Sequence, residues 1–161
     1  MTTLISMRPE FFPAFLALAA ETYASENVAS GRWPAEVALE LARKETERLL
    51  PQGLETPKNY LLEVLDAEAG PTVGFVWFAS TTRGSASAAF IYQIYVEPQA
   101  RGQGHARAAL VAVETYAQSQ GMAAVLLHVF SHNNGAQALY RSVGYSVASL
   151  NMHKLLPPGD A

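Results

Sequence analysis

The stretch VEPQARGQGHARAAL, residues 96–110, decides the fold that we predict for this chain. An apolar strand ends near Val96, a turn with Gly102 and Gly104 follows, and the alanine-rich run after it has helical periodicity. A helix that begins at such a turn presents unpaired backbone N–H groups at the positive end of its dipole. These groups favour an anion, so the stretch predicts a turn that binds pyrophosphate.

Residues 126–145, LLHVFSHNNGAQALYRSVGY, predict a second apolar strand and a short helix that ends near Tyr140. Gly121 ends the alanine-rich helix that lies between the two strands. Strand, helix and strand form a βαβ unit, whose crossover is expected to be right-handed.

Two motifs in these stretches resemble those of the GCN5-related N-acetyltransferase (GNAT) superfamily. RGQGHA at residues 101–106 resembles its Arg/Gln-x-x-Gly-x-Gly/Ala signature, and residues 133–145 are similar to its C-terminal Asn-x-x-Ala-x-x-Leu-Tyr-x-x-x-Gly-Tyr motif. The motifs occur in the family's order about thirty residues apart, which is more specific than either one alone. Residues 74–76 and 91–96 also fall where the family has its central strands, and the likeness weakens before Tyr60.

The resemblance implies a single-domain α/β fold with a mixed, mostly antiparallel sheet, a central parallel strand pair and helices on both faces. We expect an N-acetyltransferase domain over residues 1–156 and a loose C-terminal tail over residues 157–161. A first helix is predicted from Pro9 to about Ala24, and a second after Trp33 and Pro34. Strands are predicted at residues 2–7, 60–66, 73–80, 88–96 and 123–130.

Composition favours one domain and excludes several classes of function. The chain has 161 residues, 50% of them hydrophobic, a formal net charge of −3 and no run of Lys or Arg, so we expect neither nucleic acid nor a membrane as a partner. Without cysteine there is no Cys nucleophile and no thiolate metal site. The N-terminus lacks a basic region followed by an apolar segment, and we expect a cytoplasmic protein.

The resemblance implies acetyl-coenzyme A as co-substrate and N-acetylation of a primary amine, on a small molecule or peptide, by direct attack in a ternary complex. It also implies the cofactor-binding residues, which are Ile94, Tyr95, Val96, Arg101, Gly102, Gln103, Gly104, His105, Ala106, Asn133 and Tyr140. The main-chain amides near residues 94–96 would polarise the acetyl carbonyl.

Tyr140 is the residue that the resemblance implies as general acid, because the family's tyrosine hydroxyl lies near the thioester sulfur and can protonate the departing thiolate. Its helical spacing with Ala136 and Val143 fits a core tyrosine equally well. Asn133 suits a helix N-cap as much as a cofactor contact.

The general base is not assigned by the sequence. Close relatives of this pattern commonly have an acidic residue where this chain has Gln93, and glutamine cannot act as a base. Candidates that remain are His128 and Glu97, then Glu21 and Glu26. His128 and His132 have the spacing His-x-x-x-His, but on a strand and without the intervening Glu, so no metal site is expected.

Substrate-binding candidates come from the acidic and aromatic segment 21–33 and from the strand before the glycine turn. They are Glu21, Tyr23, Glu26, Trp33 and Gln93. Such a segment fits a cationic or amine-bearing acceptor and also an ordinary surface helix. Two other functions stay open, a coenzyme A-binding module with weak or lost catalysis and a different nucleotide-dependent enzyme. The oligomeric state also stays open, with a homodimer as one alternative.

Overall fold

A five-stranded sheet carries helices on both of its faces in the computed structural model, which describes residues 1–160. The elements are β1 (Thr3–Ser6), α1 (Phe12–Ala29), α2 (Ala35–Leu49), β2 (Asn59–Leu65), β3 (Thr72–Arg83), β4 (Ala86–Val96), α3 (His105–Ser119), β5 (Ala124–Leu127) and α4 (Asn134–Ser142). Short 3₁₀ turns at Gly53–Glu55 and Pro98–Ala100 precede β2 and α3. Of the predicted tail, Ala161 lies outside the described residues.

The strands follow one another in chain order across the sheet, antiparallel from β1 to β4 and parallel between β4 and β5. Helix α3 is the crossover of that parallel pair. The mixed, mostly antiparallel sheet and its parallel pair are thus confirmed. Within residues 1–160 the pair lies at one edge of the sheet, and β5 is four residues long where the sequence predicted eight over residues 123–130.

Alternation along β3 builds a core on each face of the sheet. Phe75 and Trp77 face α1, where the Phe15 ring meets both edge-on, with centroids 4.9 and 5.9 Å away. Val76 and Phe78 face the other way and pack against α3. The two helices therefore fix the sheet from opposite sides, as the fold class predicted.

Helix α1 differs from the predicted range at both ends. It begins at Phe12 and not at Pro9, because residues 8–12 form two turns in which the amides of Phe11 and Phe12 donate to the carbonyls of Arg8 and Pro9. It continues to Ala29 because Asn27, fully buried, ties the end of the helix to the loop that follows. The Asn27 carbonyl accepts from the amide of Arg32 at 2.9 Å, and its Nδ2 donates to the carbonyl of Tyr23 at 2.8 Å.

An ion pair between the half-exposed Arg8 and the buried Glu63 joins the segment after β1 to β2 and β3. The Glu63 side chain is 0% exposed and accepts from Arg8 Nη2 at 2.7 Å, Arg8 Nε at 3.0 Å and the Arg8 amide at 2.8 Å. Thr72 Oγ1 donates to it at 2.6 Å. Burial acts to raise the pKa of Glu63, but the hydrogen bonds from Arg8 and Thr72 outweigh it and hold the pKa at about 2.

No helix among residues 1–160 combines the length and apolarity that crossing a membrane requires.

Replacing Glu63 by Gln should lower the free energy of unfolding by about 2–3 kcal/mol at pH 7, since the charged hydrogen bonds to Arg8 are lost. The Glu63 pKa is depressed from 4.5 to about 2 on folding, so its stabilisation is complete above pH 4.5 and disappears as the pH falls toward 2. Urea unfolding of Glu63→Gln and wild type should therefore converge over that interval. Glu40→Gln, which breaks an exposed pair with Lys44, is the control and should leave the free energy of unfolding unchanged within the error of the measurement. A Glu63→Gln deficit that stays constant down to pH 2 would contradict the assignment.

Candidate active site

The glycine turn at residues 101–104 leads into α3 and has the open amides that the sequence predicted. Gly102 and Gly104 have φ values of +76° and +88°, a region that other residues adopt only with strain. Within residues 1–160 the amides of Gly102, Gln103 and Gly104 donate to no carbonyl or side chain. A Cβ on Gly104 would meet no atom within 4 Å. The turn faces open space, so an anion can reach its N–H groups.

Arg101 and His105 flank this turn in different ways. The exposed Arg101 side chain donates from Nε to the Val96 carbonyl at 3.0 Å, which ties the turn to the end of β4. The His105 ring is buried beneath the turn, where Nδ1 lies 2.9 Å from the hydroxyl of Thr2. The His105 side chain thus anchors α3 to the segment before β1, and only its backbone faces the turn. Gln103 and Ala106 belong to the same exposed loop and first helical turn.

Strand β4 changes its pairing just before the turn. Trp77 pairs with Gln93 and Phe78 with Ile91, so Tyr92 is an extra residue, a β-bulge. The pairing with β5 ends at Ile91 and Leu127. Beyond that point the β5-facing edge of β4 has no strand partner among the described residues.

Residues Ile94, Tyr95 and Val96 lie in this splayed part of β4. They remain paired with β3 on the other side, at Val76, Phe75 and Gly74 respectively. Two strands that part in this way leave an opening beside the main-chain amides of residues 94–96, the amides that the resemblance implies would polarise the acetyl carbonyl.

Asn133 begins α4 and also reaches α1. Its Oδ1 accepts from the Ala136 amide at 3.2 Å, which makes it the N-cap, and its Nδ2 donates to Glu26 Oε1 at 3.4 Å. Burial raises the pKa of the Glu26 carboxyl, while His132, Asn133 and His128 act to lower it. Glu26 is thus held in a partly desolvated position that retains a higher proton affinity than an exposed glutamate.

Tyr140 lies on the same helix, about two turns beyond the cap, and is half-buried. Burial raises the pKa of its hydroxyl, and the Glu26 charge raises it further. The hydroxyl therefore stays protonated at neutral pH and is able to donate. Glu26 and Tyr140 are therefore near enough for the charge of the carboxylate to affect the proton affinity of the hydroxyl.

A cleft of about 1760 Å³ connects these groups. Residues from α1, the sheet, β5 and the chain after α4 line it. Among the predicted site residues, those that line it are Tyr23, Glu26, Gln93, His128 and Tyr140. The cleft therefore brings the bulge in β4, the end of β5 and the Glu26–Tyr140 pair to one space.

The cleft also has an aromatic wall that sequence reasoning missed. Trp77 and Tyr92 stack with centroids 4.6 Å apart, and Phe90 meets Tyr92 at 5.0 Å. Asn59 accepts from Trp77 Nε1 at 2.9 Å and fixes the indole. The contact of Tyr92 with Trp77 depends on the β-bulge. Finding it requires the pairing register of β3 and β4, which the sequence does not give.

Three predicted residues lie elsewhere. Glu21 lines a separate shallow groove between α1 and α2, and Trp33 packs on Tyr23 with centroids 5.2 Å apart. Glu97 lies after β4 and accepts from the Gln99 side chain, so it does not line the cleft. Within residues 1–160 no three His, Cys, Asp or Glu side chains are grouped to hold a metal ion.

Comparison with known proteins gives consistent matches over most of the chain. The profile of the Acetyltransferase (GNAT) family matches residues 21–145. Two Bacillus subtilis (strain 168) proteins are similar in sequence. The "Uncharacterized N-acetyltransferase YycN" is 35% identical over 97% of this chain and 100% of its own length. The "Uncharacterized N-acetyltransferase YdgE" is 30% identical over 96% and 98%.

Solved structures agree with these sequence matches. The crystal structure of YycN superposes with a TM-score of 0.90 at 34% identity and covers 98% of this chain and 100% of that one. The structure of AAC(6')-Iy in complex with the bisubstrate analog CoA-S-monomethyl-acetylneamine has a TM-score of 0.66 at 15% identity over 98% and 99%, a likeness of fold alone. With the glycine turn, the splayed strand pair and these relatives in view, the chain belongs to the GNAT family of acetyltransferases and is an N-acetyltransferase.

Proposed function

We propose that this protein transfers the acetyl group of acetyl-coenzyme A to a primary amine of a small molecule or peptide, by direct attack in a ternary complex. The observation that carries the proposal is the single cleft in which Glu26 and Tyr140 lie together beside the bulged end of β4. A transferase of this kind needs a donor near the leaving group, an acceptor near the amine and amides near the carbonyl.

Coenzyme A fits the glycine turn and the splayed strand. The unpaired amides of residues 102–104 and the first turn of α3 would hold the pyrophosphate, with Arg101 beside them as a cation. The pantetheine arm would run along residues 94–96, where β4 has no partner toward β5. That path leads from the turn to the cleft, and it would bring the thioester to Tyr140.

The chemistry forms one C–N bond and breaks one C–S bond. The amine attacks the acetyl carbonyl, and the Glu26 carboxylate takes the proton that the nitrogen loses, directly or through one water. The thiolate leaves with a proton from Tyr140, whose raised pKa keeps that proton available. A thiol has an ordinary pKa of about 8.5, so Tyr140 is expected to assist the departure without being indispensable.

Glu26 takes the role of the acidic residue that close relatives of this pattern commonly have where this chain has Gln93. Gln93 lies in the cleft, where its amide can bind a substrate group but cannot accept a proton. Glu26 comes from α1 and lines the same cleft. The carboxylate also supplies the charge that would hold an ammonium group before it loses its proton.

Replacing Gly104 by Val should abolish binding of acetyl-coenzyme A. Valine at a φ of +88° is strained and adds bulk where the phosphate must approach the amides. Gly121→Val is a matched control at the other end of α3, because Gly121 also has positive φ and open space around its Cβ. Both variants should lose similar stability, about 1–2 kcal/mol, but only Gly104→Val should lose the signal in calorimetric titration. Near-normal affinity in folded Gly104→Val would remove the pyrophosphate assignment.

Tyr140→Phe should lower turnover on the order of ten- to a thousand-fold and change cofactor affinity little, because it removes the proton donor and keeps the ring. Turnover is measured as the release of thiol with a panel of polyamines, amino acids and peptide N-termini as acceptors. Tyr116→Phe, on α3 outside the cleft, is the control and should keep its turnover. If Tyr140→Phe matches wild type from neutral to mildly acidic pH, solvent supplies the proton and Tyr140 is a packing residue.

Glu26→Gln should lower kcat/KM on the order of ten- to a hundredfold and remove the acidic limb of its pH profile. The Glu26 pKa is raised, so this limb in wild type should lie above the ordinary glutamate value of 4.5, with activity falling as the carboxylate is protonated. Glu21→Gln lies on the same helix but outside the cleft, and its profile should match wild type. An unchanged acidic limb in Glu26→Gln would exclude Glu26 as base.

The same assays separate the two other functions. Binding of acetyl-coenzyme A without thiol release from any acceptor would favour a coenzyme A-binding module. Preference for another nucleotide in the titration would favour a different nucleotide-dependent enzyme.

A further inference from the structure

One face of α1 lines the cleft and changes from apolar to acidic along the helix. Ala19, Tyr23, Glu26 and Ser30 all line the cleft, and their spacing of three or four positions places them on one side of the helix. Ala19 is buried in the cluster that contains Trp77, so the helix lies against the sheet at this point. Glu26 follows seven residues later, about 10 Å along the helix axis. This part of the cleft therefore has an apolar end and an acidic end.

The aromatic wall of Trp77, Tyr92 and Phe90 lines the same cleft, and part of its surface is bare. Tyr92 is 39% exposed although Trp77 stacks on it, and Phe90 and Tyr23 are half-buried. Rings that already hold one another in place lose little conformational freedom when a ligand binds. Offset or edge-on pairs of rings are more favourable than the buried area alone, so the wall favours a ligand that has an aromatic ring.

On the α1 side of the sheet, Glu26 is the carboxylate of the cleft that remains free to hold an ammonium group. It is half-buried and forms no ion pair with residues 1–160. Glu45 also lines the cleft, but Arg48 donates to both of its carboxylate oxygens, at 2.7 and 3.0 Å. Glu114 belongs to α3, on the other face of the sheet. The cleft thus offers a counter-charge to one ammonium group and not to two.

Two cationic side chains also line the cleft, Arg32 and Arg83. Arg32 donates to Asn27 Oδ1 at 3.3 Å and lies over the Trp33 ring, 5.6 Å from its centroid, and neither neighbour removes its charge. A second ammonium group on the acceptor would meet these like charges. Diamines and polyamines are therefore disfavoured.

We propose that the acceptor is a primary monoamine with an aromatic ring on a short aliphatic chain, bound with its ammonium group at Glu26 and its ring on the aromatic wall. The inference rests on the acetyl transfer proposed above and adds the chemical class of the acceptor. The ring occupies the apolar end near Ala19 and covers the bare part of the wall. The distance of about 10 Å along α1 suits a six-membered ring with a short aminoalkyl chain.

The transfer balances for such an acceptor. The bound ammonium group first loses one proton to solvent and becomes a nucleophilic amine. Its nitrogen then bonds to the acetyl carbon as the C–S bond breaks, the second proton passes to Glu26, and the departing thiolate takes a proton from Tyr140. The products are the N-acetyl amide and free coenzyme A, and proton exchange with solvent restores Glu26 and Tyr140.

Four amines test the class, namely phenethylamine, cyclohexylethylamine, butylamine and putrescine. Thiol release should give phenethylamine a kcat/KM on the order of ten- to a hundredfold above that of butylamine, because its ring is buried in the cleft. Phenethylamine should also exceed cyclohexylethylamine, which has a saturated ring of similar size, and putrescine should be the poorest. Putrescine or cyclohexylethylamine equal to phenethylamine would overturn the inference.

Calorimetric titration of the same amines into the protein saturated with coenzyme A separates the inference from the proposed function. Binding needs no turnover, and the affinities should follow the same order. If phenethylamine binds most tightly but no amine releases thiol, the acetyl transfer is wrong and the aromatic amine site stands. If phenethylamine does not bind, or binds no better than butylamine, the site is wrong even where other acceptors turn over.

Tyr92→Leu removes the exposed ring of the wall and keeps an apolar side chain. The preference for phenethylamine over butylamine should fall about tenfold. Tyr60→Leu is the matched control, because Tyr60 stacks on Phe78 with centroids 4.9 Å apart but does not line the cleft, and its acceptor preference should equal that of wild type. Phe90→Leu removes a second ring of the wall and should act in the same direction, which keeps the test valid if Tyr92→Leu does not fold. An unchanged preference in whichever of these two wall variants folds would overturn the inference.

Discussion

The candidate site depends on where two parallel strands stop pairing. β4 and β5 share four residue pairs, from Ala88 with Ala124 to Ile91 with Leu127, and then part. Beyond that point β4 remains paired with β3, but backbone groups on its β5-facing edge have no strand partner among residues 1–160, so that edge is open to a ligand. The glycine turn follows β4 in the chain, and α4, which carries Tyr140, follows β5. The end of this ladder therefore lies near the bulge, the cofactor path that we propose and Tyr140, the proton donor that we propose.

The electrostatics of that opening come from partial burial and not from a cluster of charges. Glu26 and Tyr140 both hold their protons more tightly than exposed groups would, and each is more effective for the task proposed for it. Asn133 connects the helices that carry these two residues. Its Oδ1 caps α4, which carries Tyr140, and its Nδ2 donates a hydrogen bond to Glu26 on α1. Glu63 shows the opposite balance, because Arg8 and Thr72 supply hydrogen bonds that outweigh its burial. Glu26 and Glu63 have the same carboxyl group, but their surroundings make Glu63 a structural residue and Glu26 a candidate base.

Sequence patterns predicted the parts of this site that are local. The glycine turn, the crossover helix and the N-cap at Asn133 each depend on residues within one or two helical turns, so spacing was enough to identify them. The contact of Glu26 with Asn133 spans 107 positions and leaves no local pattern. The length of α1 was missed for a related reason, because buried Asn27 fixes its end through the loop that follows. The position of β5 at the edge of the sheet in residues 1–160 was missed because a continuous apolar run is typical of a strand whose two faces are both covered, and such strands usually lie inside a sheet.

The bulge at Tyr92 makes β4 intolerant of changes in length. Ile91 and Ile94 both face α3, three positions apart, because the extra residue reverses the alternation between them. Deleting one residue here would turn Ile94 and Val96 toward α1 and Tyr95 toward α3, an exchange of whole core faces. Related sequences should therefore align through residues 91–96 without gaps even where side chains differ. A designer who grafts a new acceptor pocket onto this scaffold would have to keep the number of residues in β4 across the bulge unchanged.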